Sequence, residues 1–239
     1  MTARMHFLQH SEHDVPGVLG RLARDRGWEV EVSRADRGAA SLPAVGSFDA
    51  LVVMGSDEST IDPGVVWIGP ERALVAEAVT AGTPVLGVCF GGQLLAQVLG
   101  GQVSRAVRKE IGWQSVDSAD RRRVPTGPWL VWHEDAFTAP PASEPLAWTD
   151  VSLHAFVSGV HTGLQFHPEV TAEIVGHWVD NAQARGHLDP GQADALLAGF
   201  DPDGRGPEDQ TARLFDGFLD RARIRPDRSE SFRSVLPTE

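Results

Sequence analysis

The stretch "GTPVLGVCFGGQLLAQVLGG", residues 82–101, holds the only cysteine of the 239-residue chain, Cys89, and its reading decides the fold. Pro84 to Val88 is a short apolar run of buried-strand character, and "QLLAQVL" after it has the spacing of a helix. Between them Gly87-x-Cys89-x-Gly91 has the form of a nucleophile elbow, in which small neighbours let the chain reverse sharply around an exposed reactive residue. The N-terminal end of the following helix carries partial positive charge, which favours a thiolate, and the backbone N–H of Phe90 would point where an oxyanion forms. A buried structural cysteine fits this pattern equally well, because free cysteine is among the most buried residue types.

The same alternation extends outward. Arg4 to Gln9, Trp28 to Val32 and Phe48 to Met54 read as strands, and the last stops at Gly55. Val15 to Arg26 and Pro70 to Ala81 read as helices that end at Gly27 and Gly82. After Gly101 the texture changes to short alternating segments, "LVWHEDAF", "PLAWTD" and "HAFVSGVHTGLQFH", which suggest antiparallel strands. Val170 to Ala184 returns to helical spacing. Beyond Gly186 one amphipathic helix stands out, "TARLFDGFLDRA", with Leu214, Phe215, Phe218 and Leu219 on one face, as core or as interface. The pattern is that of an α/β protein with a mixed, largely parallel central sheet flanked by helices and a small antiparallel sheet. Residues 1–223 are expected to form one domain and 224–239 a flexible C-terminal tail.

Composition narrows the function classes. A formal net charge of −12 repels polyphosphate, and the two basic stretches, Arg121 to Arg123 and Arg221 to Arg228, read as solvated charge, so no nucleic-acid partner is expected. No apolar run reaches the roughly 20 residues of a spanning helix, and no secretory signal is evident, which gives the expectation of no membrane partner and a cytoplasmic location.

A thiolate nucleophile needs a base, and the base needs an orienting group. In "GLQFHPEV", residues 163–170, His167 follows an apolar strand and Pro168 separates it from Glu169. The proline stiffens the backbone so that His167 and Glu169 can share one side and hydrogen-bond. A strand-end histidine beside a helix-capping glutamate is the plainer alternative. His133, Glu134, Asp135, His167 and Glu169 include metal-ligand types, but without a characteristic spacing, so neither a metal nor another cofactor is expected.

With "GVCFGGQ" and "LQFHPE" both in view, the sequence resembles the class I (triad) glutamine amidotransferase family, whose fold is flavodoxin-like. "VVMGS", "EIGW" and "WHEDAF" make it look most like stand-alone members similar to the amidotransferase domain of GMP synthase. By that resemblance Cys89 attacks the γ-amide carbon of glutamine to give a γ-glutamyl thioester, His167 relays protons and Glu169 orients His167. The oxyanion donors implied are the backbone of Phe90 and of the loop Gly55-Ser56. Relatives usually have Gly-Gly-Pro in that loop, and Ser56 lacks the conformational freedom of glycine. Gln93, His133, Glu134 and Asp135 match substrate-binding positions, although Glu134 stands where relatives usually have glycine. Glu110 is implied as a structural contact, and His154 has no implied role.

The implied substrate is glutamine or a γ-glutamyl compound, with a separate synthetase as possible ammonia acceptor, since the chain shows no phosphate-binding loop for an ATP-dependent step. A γ-glutamyl peptide or conjugate hydrolase with the same three residues, and a non-catalytic regulatory or binding subunit that retains the fold, are the alternatives.

Overall fold

The structure is a computed structural model that describes residues 2–223; the expected tail, 224–239, lies outside the described residues. Ten strands and six helices are present among them. The strands are β1 (Arg4–Gln9), β2 (Glu29–Arg34), β3 (Ala50–Val53), β4 (Val85–Val88), β5 (Val103–Gln114), β6 (Asp117–Ser118), β7 (Trp129–Phe137), β8 (Glu144–Trp148), β9 (Leu153–Ser158) and β10 (His161–Leu164). The helices are α1 (Gly17–Asp25), α2 (Ile68–Thr80), α3 (Phe90–Val98), α4 (Ala172–Ala184), α5 (Pro190–Leu197) and α6 (Glu208–Arg223). None is long and apolar enough to cross a membrane.

Eight strands form one mixed sheet in the order β2-β1-β3-β4-β10-β9-β8-β6. From β2 to β10 the neighbours are parallel, and β9, β8 and β6 continue antiparallel. β5 and β7 make a separate antiparallel pair, the small second sheet expected from the sequence.

Alternation along the strands divides the core between the two faces of the sheet. Met5, Phe7, Ala50, Val52, Leu86 and Val88 pack against Val18 and Leu19 of α1 and the apolar face of α6. Leu8, Leu51, Val53 and Val85 pack instead against Leu74 and Val75 of α2 and Leu94 and Leu95 of α3. Leu214, Phe215, Phe218 and Leu219 are buried in the first of these clusters, so the α6 face is core. Each such side chain contributes about 1.5–3 kcal/mol by leaving water.

The helix bounds show where the sequence reading slips. α2 begins at Ile68 rather than Pro70, with the proline in the first turn, where its missing N–H costs no helical bond. α5 is not anticipated by its composition: "DPGQ" reads as a turn, yet Asp189 accepts from the Gln192 N–H and Gln192 reaches back to the Asp189 N–H, a reciprocal cap that starts the helix.

Candidate active site

Cys89 stands between the last residue of β4 and the first of α3, at φ +50° and ψ −107°. A positive φ is costly for any residue with a Cβ, and the surrounding glycines explain how the chain meets that cost. A Cβ on Gly87 would fall 2.3 Å from the Gly91 carbonyl oxygen, one on Gly91 2.1 Å from that of Val53, and one on Gly92 2.2 Å from that of Leu164. Only glycine lets α3 sit this close to β3 and β10. The elbow is pinned on both sides: the Cys89 N–H donates to Leu164 O at 2.8 Å, and the Gly91 N–H to Met54 O at 3.1 Å. The Phe90 N–H, at the helix start, has no recorded acceptor among the described residues, as expected for the first donors of a helix.

His167 follows β10, the parallel neighbour of β4, with Leu164 in register with Val88. Its backbone N–H donates to Leu130 O of β7 at 2.9 Å, and its ring packs edge-on against Trp178 with centroids 4.9 Å apart. The ring Nδ1 lies 2.8 Å from Glu169 Oε1, both side chains being buried. Burial pulls the His167 pKa down, but the charge of Glu169, the Cys89 sulfur and the hydrogen bonds to both outweigh it, so the ring is held well above its ordinary value. Gly55 seals the constellation. A Cβ there would stand 3.0 Å from His167 Cε1 and 3.8 Å from Cys89 Cβ, so cysteine, histidine and the loop after β3 meet at one point.

The loop itself is unstrained. Among the described residues only Cys89 and Ala142 are non-glycine residues with positive φ, so Ser56 keeps an ordinary backbone. Its hydroxyl accepts from the Glu58 N–H at 3.1 Å, and the Gly55 carbonyl accepts from His10 Nδ1 at 2.7 Å.

Gln93 is buried on α3, its amide nitrogen 3.1 Å from Asp135 O and 3.4 Å from Gln165 Oε1. Gln165, absent from the sequence expectations, donates from Nε2 toward Cys89 Sγ at 3.6 Å. Its signal is its place in "LQFHPE", two residues before His167.

His133, Glu134 and Asp135 lie within β7, in register with β5, and not in a free loop. His133 is turned inward, with Nδ1 3.0 Å from Asp135 O and Nε2 3.1 Å from Glu110 Oε2. Glu134 points outward to Arg105 and Lys109, each at 3.1 Å. Asp135 accepts from the Ser59 hydroxyl and pairs with Arg105 at 3.2 Å.

Glu110, His133 and His154 bring ligand-type atoms within 4.8 Å of one another, the sole such group among the described residues; of the metal-ligand types noted in the sequence only His133 belongs to it. Glu110 takes hydrogen bonds from His154 at 3.1 Å, Thr149 at 3.0 Å and Ser152 at 3.1 Å, whereas His133 Nε2, also 3.1 Å away, has no well-aligned hydrogen bond among the described residues. Burial pushes the Glu110 carboxyl up, but the neighbouring His133 and His154 hold it well below the usual carboxylate range.

The profile of the family described as Glutamine amidotransferase class-I matches residues 14–180. The chain belongs to that family. It is 30% identical over 194 residues to the glutamine amidotransferase-like protein YfeJ of Salmonella typhimurium, covering 75% of this chain and 81% of the other. It is 35% identical over 187 residues to the glutamine-hydrolysing GMP synthase of Aeropyrum pernix, covering 70% of this chain but only 36% of that enzyme. A crystal structure of a glutamine amidotransferase from Thermotoga maritima has the same fold, with a TM-score of 0.79 at 23% identity, covering 93% of this chain and 98% of that one. Membership of the class I amidotransferases supports hydrolysis of the glutamine amide with transfer of the ammonia.

Proposed function

We propose that this amidotransferase works through a γ-glutamyl thioester on Cys89, with His167 as proton carrier and Glu169 as its orienting group, and hands ammonia to a separate acceptor enzyme. The observation that carries the reading is the meeting of Cys89 and His167 at Gly55, with Glu169 Oε1 2.8 Å behind the imidazole.

In the first half-reaction the Cys89 thiolate attacks the side-chain amide carbon, and the carbonyl π pair moves onto oxygen, where the N–H groups of Phe90 and Ser56 receive it. His167, protonated, gives its proton to the amide nitrogen as the C–N bond breaks, and ammonia leaves. His167, now neutral, takes a proton from water, the hydroxide adds to the thioester carbon, and the C–S bond breaks to return the thiolate and release glutamate. Glu169 keeps a hydrogen on Nδ1 throughout, so that Nε2 is the nitrogen available to exchange protons. Gln93, one helical turn after the cysteine, and Asp135, whose carbonyl accepts from the Gln93 amide, are the proposed contacts of the substrate together with the His133–Glu134 backbone.

The test is hydrolysis by the purified chain of free glutamine beside a panel of γ-glutamyl dipeptides, with Cys89→Ala as control. Glutamine turnover that disappears in Cys89→Ala supports the proposal. Preference for the dipeptides would replace it with a γ-glutamyl hydrolase, and full activity in Cys89→Ala would remove the thioester.

A further inference from the structure

Behind the Gly55 loop lies a second histidine–carboxylate pair that the chemistry above does not use. His10 follows β1 and is buried; its Nδ1 is 2.7 Å from Gly55 O, and its Nε2 is 3.0 and 3.2 Å from the two carboxylate oxygens of Glu71, in the first turn of α2. Trp67 stacks on the ring at 5.1 Å with planes 23° apart, and Phe90 packs against it at 4.7 Å. The ring therefore has one orientation.

Both ring nitrogens face acceptors. The Gly55 carbonyl oxygen can only accept, so Nδ1 carries the hydrogen of that bond, while Nε2 shares a second hydrogen with the Glu71 carboxyl group. The direction of its titration agrees: burial pulls it down, but Glu71, the Gly55 carbonyl and the more distant Asp14 together raise it above the ordinary histidine value. Asp36 is the other charged group that feels this ring.

The sheet order turns this contact into a directional constraint. β3 lies between β1 and β4, so the Gly55 loop has His10 on one side and Cys89 on the other. The Gly55–Ser56 peptide is trans, since the one cis bond among the described residues is Gly127–Pro128. In a trans peptide the N–H points opposite to the C=O. With the Gly55 carbonyl drawn toward β1 by His10, the Ser56 N–H is directed toward β4 and Cys89, and no acceptor for it is recorded among the described residues. Rotating this peptide away would also drive Ser56 toward a positive φ, which a residue with a Cβ resists.

We propose that His10, held by Glu71, is a positioning residue that fixes the Gly55–Ser56 peptide with its N–H aimed at the substrate carbonyl, completing the oxyanion site with Phe90. The inference rests on the thioester reading and adds to it the residue that presets the second donor.

The experiment uses the fact that Cys89 is the only cysteine. Alkylation by iodoacetamide is a displacement at saturated carbon with no oxyanion, so it reports on the thiolate alone, whereas glutamine turnover needs both thiolate and oxyanion donors. His10→Leu and His10→Asn are compared in a Glu71→Gln background, where neither leaves a bare buried carboxylate; asparagine can place a donor near Nδ1 and leucine cannot. The expected result is a kcat about 10²-fold lower for His10→Leu, comparable to losing one oxyanion donor, with KM and the alkylation rate within about threefold, and recovery of most of the loss in His10→Asn. Equal turnover of the two variants, or turnover and alkylation falling in parallel, overturns the role. A measurement on the unaltered chain does not depend on a variant folding: ¹⁵N NMR at neutral pH should find a hydrogen on His10 Nδ1, and a ring without one overturns the proposal. Full turnover in Cys89→Ala would sink the thioester reading and this inference together, whereas an inactive Cys89→Ala with indistinguishable His10 variants removes the positioning role alone.

Discussion

His167 Nδ1 and Glu169 Oε1 are 2.8 Å apart across a single proline, and Glu169 heads the influences that raise the ring against the downward pull of burial. The sign of the consequence is fixed. In the proposed reaction an imidazolium is the acid that releases ammonia, so acylation is expected below the raised pKa and lost as pH rises through it. Glu169→Gln is expected to move that alkaline limb to lower pH and to lower kcat, but by less than the loss of about 10³-fold or more expected for His167→Ala. Pre-steady-state ammonia release across pH checks both.

The close approach of α3 to β10 predicts a stability effect. Gly92→Ala puts a methyl 2.2 Å from Leu164 O, which is backbone and cannot swing aside. A loss of about 1–3 kcal/mol or more is expected, with turnover reduced because Cys89 moves with the helix. Urea unfolding and kcat on the same preparation read both.

Glu134 gives a contrasting expectation. Its carboxylate is half-exposed and paired with Arg105 and Lys109 away from Cys89. Glu134→Ala should cost under about 1 kcal/mol, as exposed pairs do, and leave the KM for glutamine within about twofold. A tenfold change in KM would mean that this side chain turns inward to meet the substrate.

His161 at the start of β10 is buried, its Nδ1 has no partner among the described residues, and burial pulls its pKa down to about 4. The unfolded chain takes up this proton near pH 6.5, the folded chain only near 4, so stability falls as pH drops through that window and levels off below it. His161→Leu should flatten this part of the acid loss by at most about 3 kcal/mol. Denaturant midpoints at pH 6.5 and 4.5, for both proteins, measure the difference.

Where local pattern and tertiary role coincide, the structure was legible in advance. β1 falls at Arg4–Gln9 as its apolar run implies, and the glycines after α1 and α2, Gly27 and Gly82, have the positive φ of helix ends. The turn at Cys89 and the contact between His167 and Glu169 were readable because each lies in a short motif whose glycines or proline advertise backbone geometry. β5 was not: it carries Arg105, Arg108, Lys109 and Glu110, of which only Glu110 is buried, and since it pairs with β7 alone its first half shows no apolar alternation. His10 and Glu71 were invisible for another reason. Their partners lie 45 and 61 residues away, and no local spacing encodes a contact made by sheet order.

The bond from the Cys89 amide to Leu164 O ties the elbow to the middle of the eight-stranded ladder. An amide so placed exchanges with solvent only when the central strands separate, in the most protected cooperative unit of the chain. Cys89, the proposed nucleophile, is thus anchored in the slowest-opening part of the molecule, and any adjustment to substrate must come from the surrounding loops.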